Sequence, residues 1–350
     1  MKPLPTIFPV GREMYLWLRQ GGLTLRENHK LAAIYAWTQW WFERNRGMQF
    51  RMQRCASPSD PVLILGLWRS GTTFLHELLS LHSNLQTPKT WQCMNSSTFR
   101  LTGPPKSNIT ASRPMDAVKI SNLSPQEDEF ALLALGAPSL YRGFFDPRRL
   151  PELEQLLSCA LKDEDDLAWT DKWNEFLGGL AINDGRLLLK SPNHSFRWPS
   201  LVKQLPNSQA IWITRDPELI WRSNLKMWRH MINKYALWPC PENVLESFLL
   251  KALTESEKIL RWSIENLDKY HFRTTSLDLV LQQPAICAES IFKFLGLEKD
   301  VMFMEKASAS LKSQRHFESN YEEIPCENKI KEAFTQIRLT QNLALISHGL

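Results

Sequence analysis

Four consecutive aliphatic residues, Val62-Leu63-Ile64-Leu65, run into Gly66, and a second glycine, Gly71, is followed at once by the amphipathic stretch Thr72-Thr73-Phe74-Leu75-His76-Glu77-Leu78-Leu79. The pattern predicts a buried strand over Val62–Leu67, a tight turn, and a helix over Thr72–Leu81. A strand apolar at every position needs cover on both faces, which points to a parallel sheet between helices. The turn also presents backbone N–H groups at the positive end of a helix dipole, a cradle for a phosphate. The frame Gly66-x-x-x-x-Gly71 fits a Walker A loop, but Thr72 stands where that motif has Lys, and the basic residue, Arg69, comes before the glycine. A kinase-type loop uses its Lys beside Mg²⁺ to neutralise β- and γ-phosphates. This loop suits a 5′-phosphate that carries something other than a polyphosphate.

Further strands are expected over Leu187–Lys190, Ala210–Thr214 and Thr274–Leu279. Helices are expected over Pro125–Leu135, Pro151–Leu161, Lys172–Ala181, Pro217–Tyr235, Pro241–Leu267 and Pro284–Leu295, several opening on a first-turn proline. The fold class is α/β, a three-layer P-loop-like parallel sheet flanked by helices. Residues 58–350 form this α/β domain, and 84–124, rich in Pro, Ser, Thr and Asn, read as a lid or loop with little regular structure. Residues 1–57 form a helical arm. Within 11–56 the residues Trp17, Tyr35, Trp37, Trp40, Trp41 and Phe42 interleave with Arg and Lys, which suits packing on the core or resting on an anionic membrane.

The net charge of +5 is uneven: residues 1–54 hold nine Lys/Arg against three Asp/Glu, and the rest of the chain thirty-three against thirty-four. A neutral core argues against a nucleic-acid partner. The six cysteines are scattered without a CxxC or a Cys/His cluster, which argues against a zinc site or disulfide framework and for reduced thiols in the cytoplasm. The first ten residues carry three prolines and no apolar segment of secretory type, and the longest nearly apolar run, Leu31 to Phe42, is too short to span a bilayer. The expected location is the cytoplasm, with the inner face of a membrane as a peripheral site.

Ligands in open α/β sheets lie at the carboxyl ends of the strands. Three strands end in polar or basic groups: Arg69-Ser70-Gly71-Thr72-Thr73, then Lys190 with Ser191, Asn193 and His194, then Arg215 with Asp216. Three cations beside a phosphate loop indicate a doubly phosphorylated ligand. Ser223 lies eight residues after Arg215, about two turns along the next helix, in position to donate to the same anion.

On these residues the chain resembles the PAPS-dependent sulfotransferases. Their RSGTT-type loop, here Arg69–Thr73, binds a 5′-phosphosulfate, and their Arg followed eight residues later by Ser, here Arg215 and Ser223, binds a 3′-phosphate. The segments 113–132 and 187–195 resemble the bacterial-type sulfotransferase family 3 branch, akin to tyrosylprotein and carbohydrate sulfotransferases, and the likeness spans about residues 60–300. One departure is Ser276-Leu277-Asp278-Leu279, where relatives often carry Tyr-Glu-Asp-Leu.

The resemblance implies 3′-phosphoadenosine-5′-phosphosulfate (PAPS) as co-substrate, adenosine 3′,5′-bisphosphate as product, no metal, and in-line transfer of a sulfuryl group to the hydroxyl of a carbohydrate, lipid or other small molecule. Arg69, Ser70, Gly71, Thr72 and Thr73 then hold the 5′ end, with Arg69 and Lys190 flanking the bridging oxygen, and Lys190 following the moving charge. The general base is sought at Glu127 or Glu129, although Ser124-Pro125-Gln126-Glu127 also reads as a capping box. His194 competes, because cytosolic sulfotransferases use a histidine shortly after the matching lysine. Amphipathic packing accounts for His76 and Glu77 as readily as an acceptor contact does, and Arg315 and His316 suit closure over the cofactor. Trp68, Trp221 and Trp228 lie near the site in sequence, but none is assigned to adenine stacking. Two rivals are weighed: a degenerate P-loop kinase or NTPase, which needs Lys at position 72, and a non-catalytic membrane-associated protein on the same scaffold, which should have lost Arg69, Lys190 or Arg215.

Overall fold

The computed structural model describes residues 12–20, 22–33, 60–96, 99–108, 110–112, 119–158, 167–180, 185–298, 300, 303, 307 and 328–350. Five strands form one parallel sheet: β1 (Val62–Leu65), β2 (Leu85–Gln86), β5 (Arg186–Lys190), β6 (Gln209–Thr214) and β7 (Phe272–Ser276), in the order β2-β5-β1-β6-β7. A small antiparallel pair, β3 (Thr110–Ser112) and β4 (Lys119–Ser121), stands apart from it. Alternation along the central strand sends its side chains to opposite faces. Val62 and Ile64 pack with Leu75, Leu78 and Leu79 of the helix Thr72–Leu79 and with Ile291 of the helix Pro284–Phe294. Leu63 and Leu65 pack with Phe196 and Trp198 of the helix Pro192–Gln204, and with Trp228 and Phe248 of the helices Pro217–Tyr235 and Glu242–Asn266. The expected three layers are present. β1 lies centrally, between β5 and β6, so its loop receives residues from both neighbours.

Several expected boundaries move for local reasons. β1 stops at Leu65, because Gly66 (φ 140°) turns the chain and the Ser70 N–H closes on the Leu67 carbonyl at 3.1 Å. β7 ends at Ser276, whose hydroxyl accepts the Leu279 N–H at 3.2 Å and caps a helix over Leu277–Gln282, where strand was expected to continue. The helix expected from Pro125 begins only at Glu129. Its first residues are spent elsewhere: Thr90 N–H donates to the Ser124 carbonyl (3.0 Å) and Gln126 N–H to the Pro88 carbonyl (2.9 Å), while the Ser124 hydroxyl accepts from the Ser121 N–H. The capping box does not form, and Glu127 is left outside the helix. Within 84–124, expected to be largely irregular, the described residues form β2, β3, β4 and the short helices Thr90–Met94 and Phe99–Thr102. Cys93 and Phe99 are buried there.

Two helices escape the sequence pattern. Pro192–Gln204 holds Pro199 in its interior, where proline is normally a breaker. Asn328–His348 buries Ile330, Phe334, Ile337 and Ala344, and its last residues reach β7, where Leu350 N–H donates to the Thr274 carbonyl at 3.1 Å.

In the N-terminal arm, Arg12–Gln20 and 25–33 are helical. Met14 and Leu18 are fully buried. The Trp17 ring lies 4.0 Å from the Arg149 guanidinium and 5.4 Å from that of Arg142, and Arg149 donates to the Trp17 carbonyl at 2.8 Å. This part of the arm packs on the core. Tyr35, Trp37, Trp40, Trp41 and Phe42 lie outside the described residues, as do Arg315 and His316. Among the described residues, no helix is long and apolar enough to cross a membrane.

Candidate active site

The loop after β1 is built for close approach. Gly66 and Gly71 have φ of 140° and 102°, and Arg69 (φ 71°) is the one non-glycine with positive φ among the described residues. A Cβ on Gly66 would stand 2.7 Å from the Ile213 carbonyl oxygen, and one on Gly71 would stand 2.6 Å from a Leu277 methyl. Ser195 staples the loop from below: its hydroxyl accepts the Gly66 N–H at 2.8 Å and donates to the Gly66 carbonyl at 3.2 Å. No side chain caps the helix Thr72–Leu79 at Gly71, so the positive end of its dipole faces outward. Ser70 is buried, and its hydroxyl has no partner among the described residues.

On the β6 side of the loop, Arg69 Nε donates to Ser223 Oγ at 2.9 Å and Arg215 donates to the Arg69 carbonyl at 3.0 Å. Arg215 and Ser223, matched in sequence only by spacing, thus meet the loop residue Arg69. Three residues that the sequence analysis does not single out support them. Asn224 donates to the Trp68 carbonyl at 2.9 Å, Gln341 donates to the Arg215 carbonyl at 3.1 Å, and Arg338 Nε donates at 2.9 Å to Asp216, which caps the helix Pro217–Tyr235. Arg338 and Gln341 are separated from these partners by more than a hundred residues, so no local pattern announces them.

On the β5 side, the three consecutive acids at 127–129 each have a different base. Glu127 Oε1 accepts from Lys190 Nζ at 2.6 Å, Asp128 accepts from His194 Nε2 at 2.8 Å, and Glu129 accepts from Arg197 at 2.8 Å. The strap 127–129 lies across the end of β5, which carries Lys190, and along the beginning of the helix Pro192–Gln204, where His194 and Arg197 stand three residues apart on one face. Lys190 is the member that also reaches the loop, donating to Thr73 Oγ1 at 3.3 Å. Glu127 Oε2 accepts from the Tyr141 hydroxyl at 2.6 Å. Burial, followed by the Glu127 charge and hydrogen bond, pushes the Tyr141 phenol well above its ordinary range, so it remains a donor. Tyr141 had no signal in the sequence beyond an aromatic residue in a short helical turn.

This arrangement separates the base candidates. Glu129 is fully buried against Arg197, which also donates to the Pro138 carbonyl (2.9 Å) and lies over the Trp169 ring at 4.3 Å. His194 is fully buried between Trp169 and Trp173, tied to Asp128. Burial would raise the Asp128 carboxyl, but His194, the Trp173 N–H (2.8 Å) and the Arg197 charge outweigh it and hold Asp128 below its ordinary value. Glu129 and His194 therefore serve the packing of the strap, and of the three candidates only Glu127 touches a residue of the loop side. His76 is also buried, bonded to Thr87 Oγ1. Burial first, then the Lys190 and Lys89 charges, hold its imidazole well below the ordinary value and keep it neutral. Trp68, Trp221 and Trp228 are core residues, the Trp68 ring packing on Trp228 at 5.3 Å and Phe196 at 5.9 Å.

A glycine loop with an uncapped helix behind it, a two-arginine cluster on one side and a lysine–carboxylate pair on the other suit an anionic ligand in a P-loop-like α/β fold. The family model of the Sulfotransferase family matches residues 61–301, and the chain belongs to that family of sulfuryl-transferring enzymes. It is 26% identical over 285 residues to the omega-hydroxy-beta-dihydromenaquinone-9 sulfotransferase Stf3 of Mycobacterium bovis, a match covering 80% of this chain and 74% of the relative. The Stf3 of Mycobacterium tuberculosis matches to the same extent. Among solved structures, the sulfotransferase STF1 of Mycobacterium tuberculosis aligns with a TM-score of 0.60 at 16% identity, covering 92% of this chain and 90% of that one. STF9 of Mycobacterium avium aligns at 0.57 and 17%, covering 86% and 79%. These two likenesses carry the fold.

Proposed function

We propose that the protein transfers a sulfuryl group from PAPS to a hydroxyl at the polar end of a largely apolar acceptor. The observation that carries this reading is the joining of Arg69, Arg215 and Ser223 into one cluster on the β6 side of a loop that has no room for a Cβ at Gly66 or Gly71. The buried, unpartnered Ser70 hydroxyl fits the same ligand. PAPS supplies the sulfuryl group and, as its leaving group, the 5′-phosphate of adenosine 3′,5′-bisphosphate.

The amides of 69–73 with the Thr72 and Thr73 hydroxyls hold the 5′-phosphosulfate, and Arg215 with Ser223 holds the 3′-phosphate. Lys190, shared between Glu127 and Thr73, swings its charge from the carboxylate toward the oxygen on which charge develops. That movement frees Glu127 Oε1 to take the proton of the acceptor hydroxyl as its oxygen bonds to sulfur, while Tyr141 keeps the other carboxylate oxygen in place. The half-buried Phe130 ring stacks on Tyr141 at 5.5 Å, an aromatic face beside Glu127 suited to an apolar acceptor. The acceptor named for the curated relatives, a hydroxylated menaquinone, has this character. We place the reaction in the cytoplasm, with the basic arm toward an anionic membrane that holds such an acceptor.

Calorimetric titration with adenosine 3′,5′-bisphosphate and, separately, with ATP·Mg²⁺ tests the donor. Tight binding of the bisphosphate that weakens at least 100-fold in Arg215→Ala is expected, from the loss of a charged contact to phosphate. Binding of ATP·Mg²⁺ with indifference to the bisphosphate would overturn the reading in favour of a kinase-like one.

A further inference from the structure

In the segment Lys190-Ser191-Pro192-Asn193-His194-Ser195 nearly every polar side chain has a task. Lys190 holds Glu127, the Ser191 hydroxyl accepts the Asn193 N–H at 3.2 Å and caps the helix, His194 holds Asp128, and Ser195 staples Gly66. Asn193 is the exception. It is 1% exposed, and neither its amide nitrogen nor its amide oxygen has a partner among the described residues. Each unpaired polar atom at such depth destabilises the fold, and an asparagine brings two. An apolar residue of similar size avoids that cost, so packing does not account for the amide.

Its position on the helix indicates what does. Asn193 lies on the first turn of the helix, four residues before Arg197 and so on the face that meets the strap at Glu129, and three residues after Lys190, the last residue of β5. Arg197 takes the far end of the strap, Glu129, and Lys190 takes the near end, Glu127. Asn193 lies between these anchors, one turn closer than Arg197 to the carboxyl end of β5. The sheet order then separates donor from acceptor: Arg215 and Ser223 follow β6 on one side of β1, whereas Lys190 and Asn193 follow β5 on the other.

We infer that Asn193 binds the acceptor, its amide N–H donating to the oxygen of the hydroxyl presented to Glu127. This inference rests on the donor reading above and deepens it: the acceptor would have to be an alcohol or phenol whose oxygen accepts from Nδ2 while its single proton faces Glu127, which an ether or ester cannot supply.

The test compares wild type with Asn193→Leu, with PAPS as donor and an ω-hydroxylated prenyl quinone as acceptor probe, alongside calorimetry with adenosine 3′,5′-bisphosphate. The expected result is a fall in kcat/KM for the acceptor of about 10- to 100-fold, carried by KM, with bisphosphate affinity unchanged within twofold. The midpoint of thermal unfolding should hold or rise, because the variant removes a buried, unpaired amide. Unchanged kcat/KM in the folded variant would overturn the inference and leave the amide to an ordered water. A loss of bisphosphate affinity in the variant would overturn it equally, by moving Asn193 to the donor. Failure of the wild type itself to bind the bisphosphate would instead refute the donor reading. Should Asn193→Leu not fold, Asn193→Ser shortens the polar reach and is expected to show the same fall in acceptor kcat/KM.

Discussion

Replacing Glu129 by glutamine separates packing from chemistry within a run of three acids. The carboxylate of Glu129 is fully buried and the Arg197 side chain only 9% exposed, so the change strips a buried guanidinium of its counter-charge. Breaking such a pair costs about 3–5 kcal/mol. Arg197 keeps the Pro138 carbonyl and the Trp169 ring, which places the loss near the lower end, about 3 kcal/mol. With an unfolding entropy near 2.1 cal/mol/K per residue, a cooperative unit of 350 residues loses roughly 4 °C in midpoint. Differential scanning fluorimetry reads that shift. Turnover measured well below the midpoint should stay within about fivefold of wild type, since among the described residues Glu129 is bonded to Arg197 and not to the loop. Glu127→Gln at the same temperature should lower turnover by about 10²- to 10⁴-fold, the usual contribution of a positioned base. The reasoning is refuted if Glu129→Gln melts with the wild type yet loses a hundredfold in turnover, because the proton acceptor would then be Glu129.

Two further expectations concern protons and backbone. The folded state holds His76 neutral while the unfolded chain takes up a proton near pH 6.5, so His76 lowers stability as pH falls below that value. Between pH 7.5 and 5.5 the wild type should therefore lose about 1 kcal/mol more than His76→Gln in urea unfolding; equal losses would mean that the imidazole charges freely in the folded protein. Gly71→Ala forces a left-handed backbone on a residue with a Cβ and presses that carbon on Leu277, so bisphosphate affinity should drop about 5- to 30-fold, from about 1–2 kcal/mol of strain. Unaltered affinity in calorimetry would show that the loop has room to adjust.

What the sequence made legible was whatever depends on contiguous residues. The run Val62–Leu65 with its glycines gave the central strand, the turn and the helix, because a fully apolar strand and a left-handed glycine each have few alternatives. The spacing of Arg215 and Ser223 carried over because a helix converts eight residues into a fixed reach. Glu127 was visible only as one of three acids, and a helix cap explained it equally well. The choice fell to the pairing of 88–90 with 124–126, which moved the helix start to Glu129 and left Glu127 beside Lys190. Tyr141, Arg338 and Gln341 act through partners distant in the chain, where no periodicity reaches. Pro192–Gln204 was hidden because Pro199, in the helix interior, mimics a stop.

The strap 127–129 also bears on how this protein can change over generations. Its acids are matched one to one with Lys190, His194 and Arg197, so it behaves as a tooth rack in which every position counts. Deleting one residue ahead of Glu127 would present Asp128 to Lys190 and Glu129 to His194, and would leave Arg197 facing Phe130 with no acid. Substitutions here can be sampled singly, but changes of length cannot. New acceptor preferences are therefore expected to arise by exchange of side chains around the strap, at positions such as 193, rather than by changes in its length.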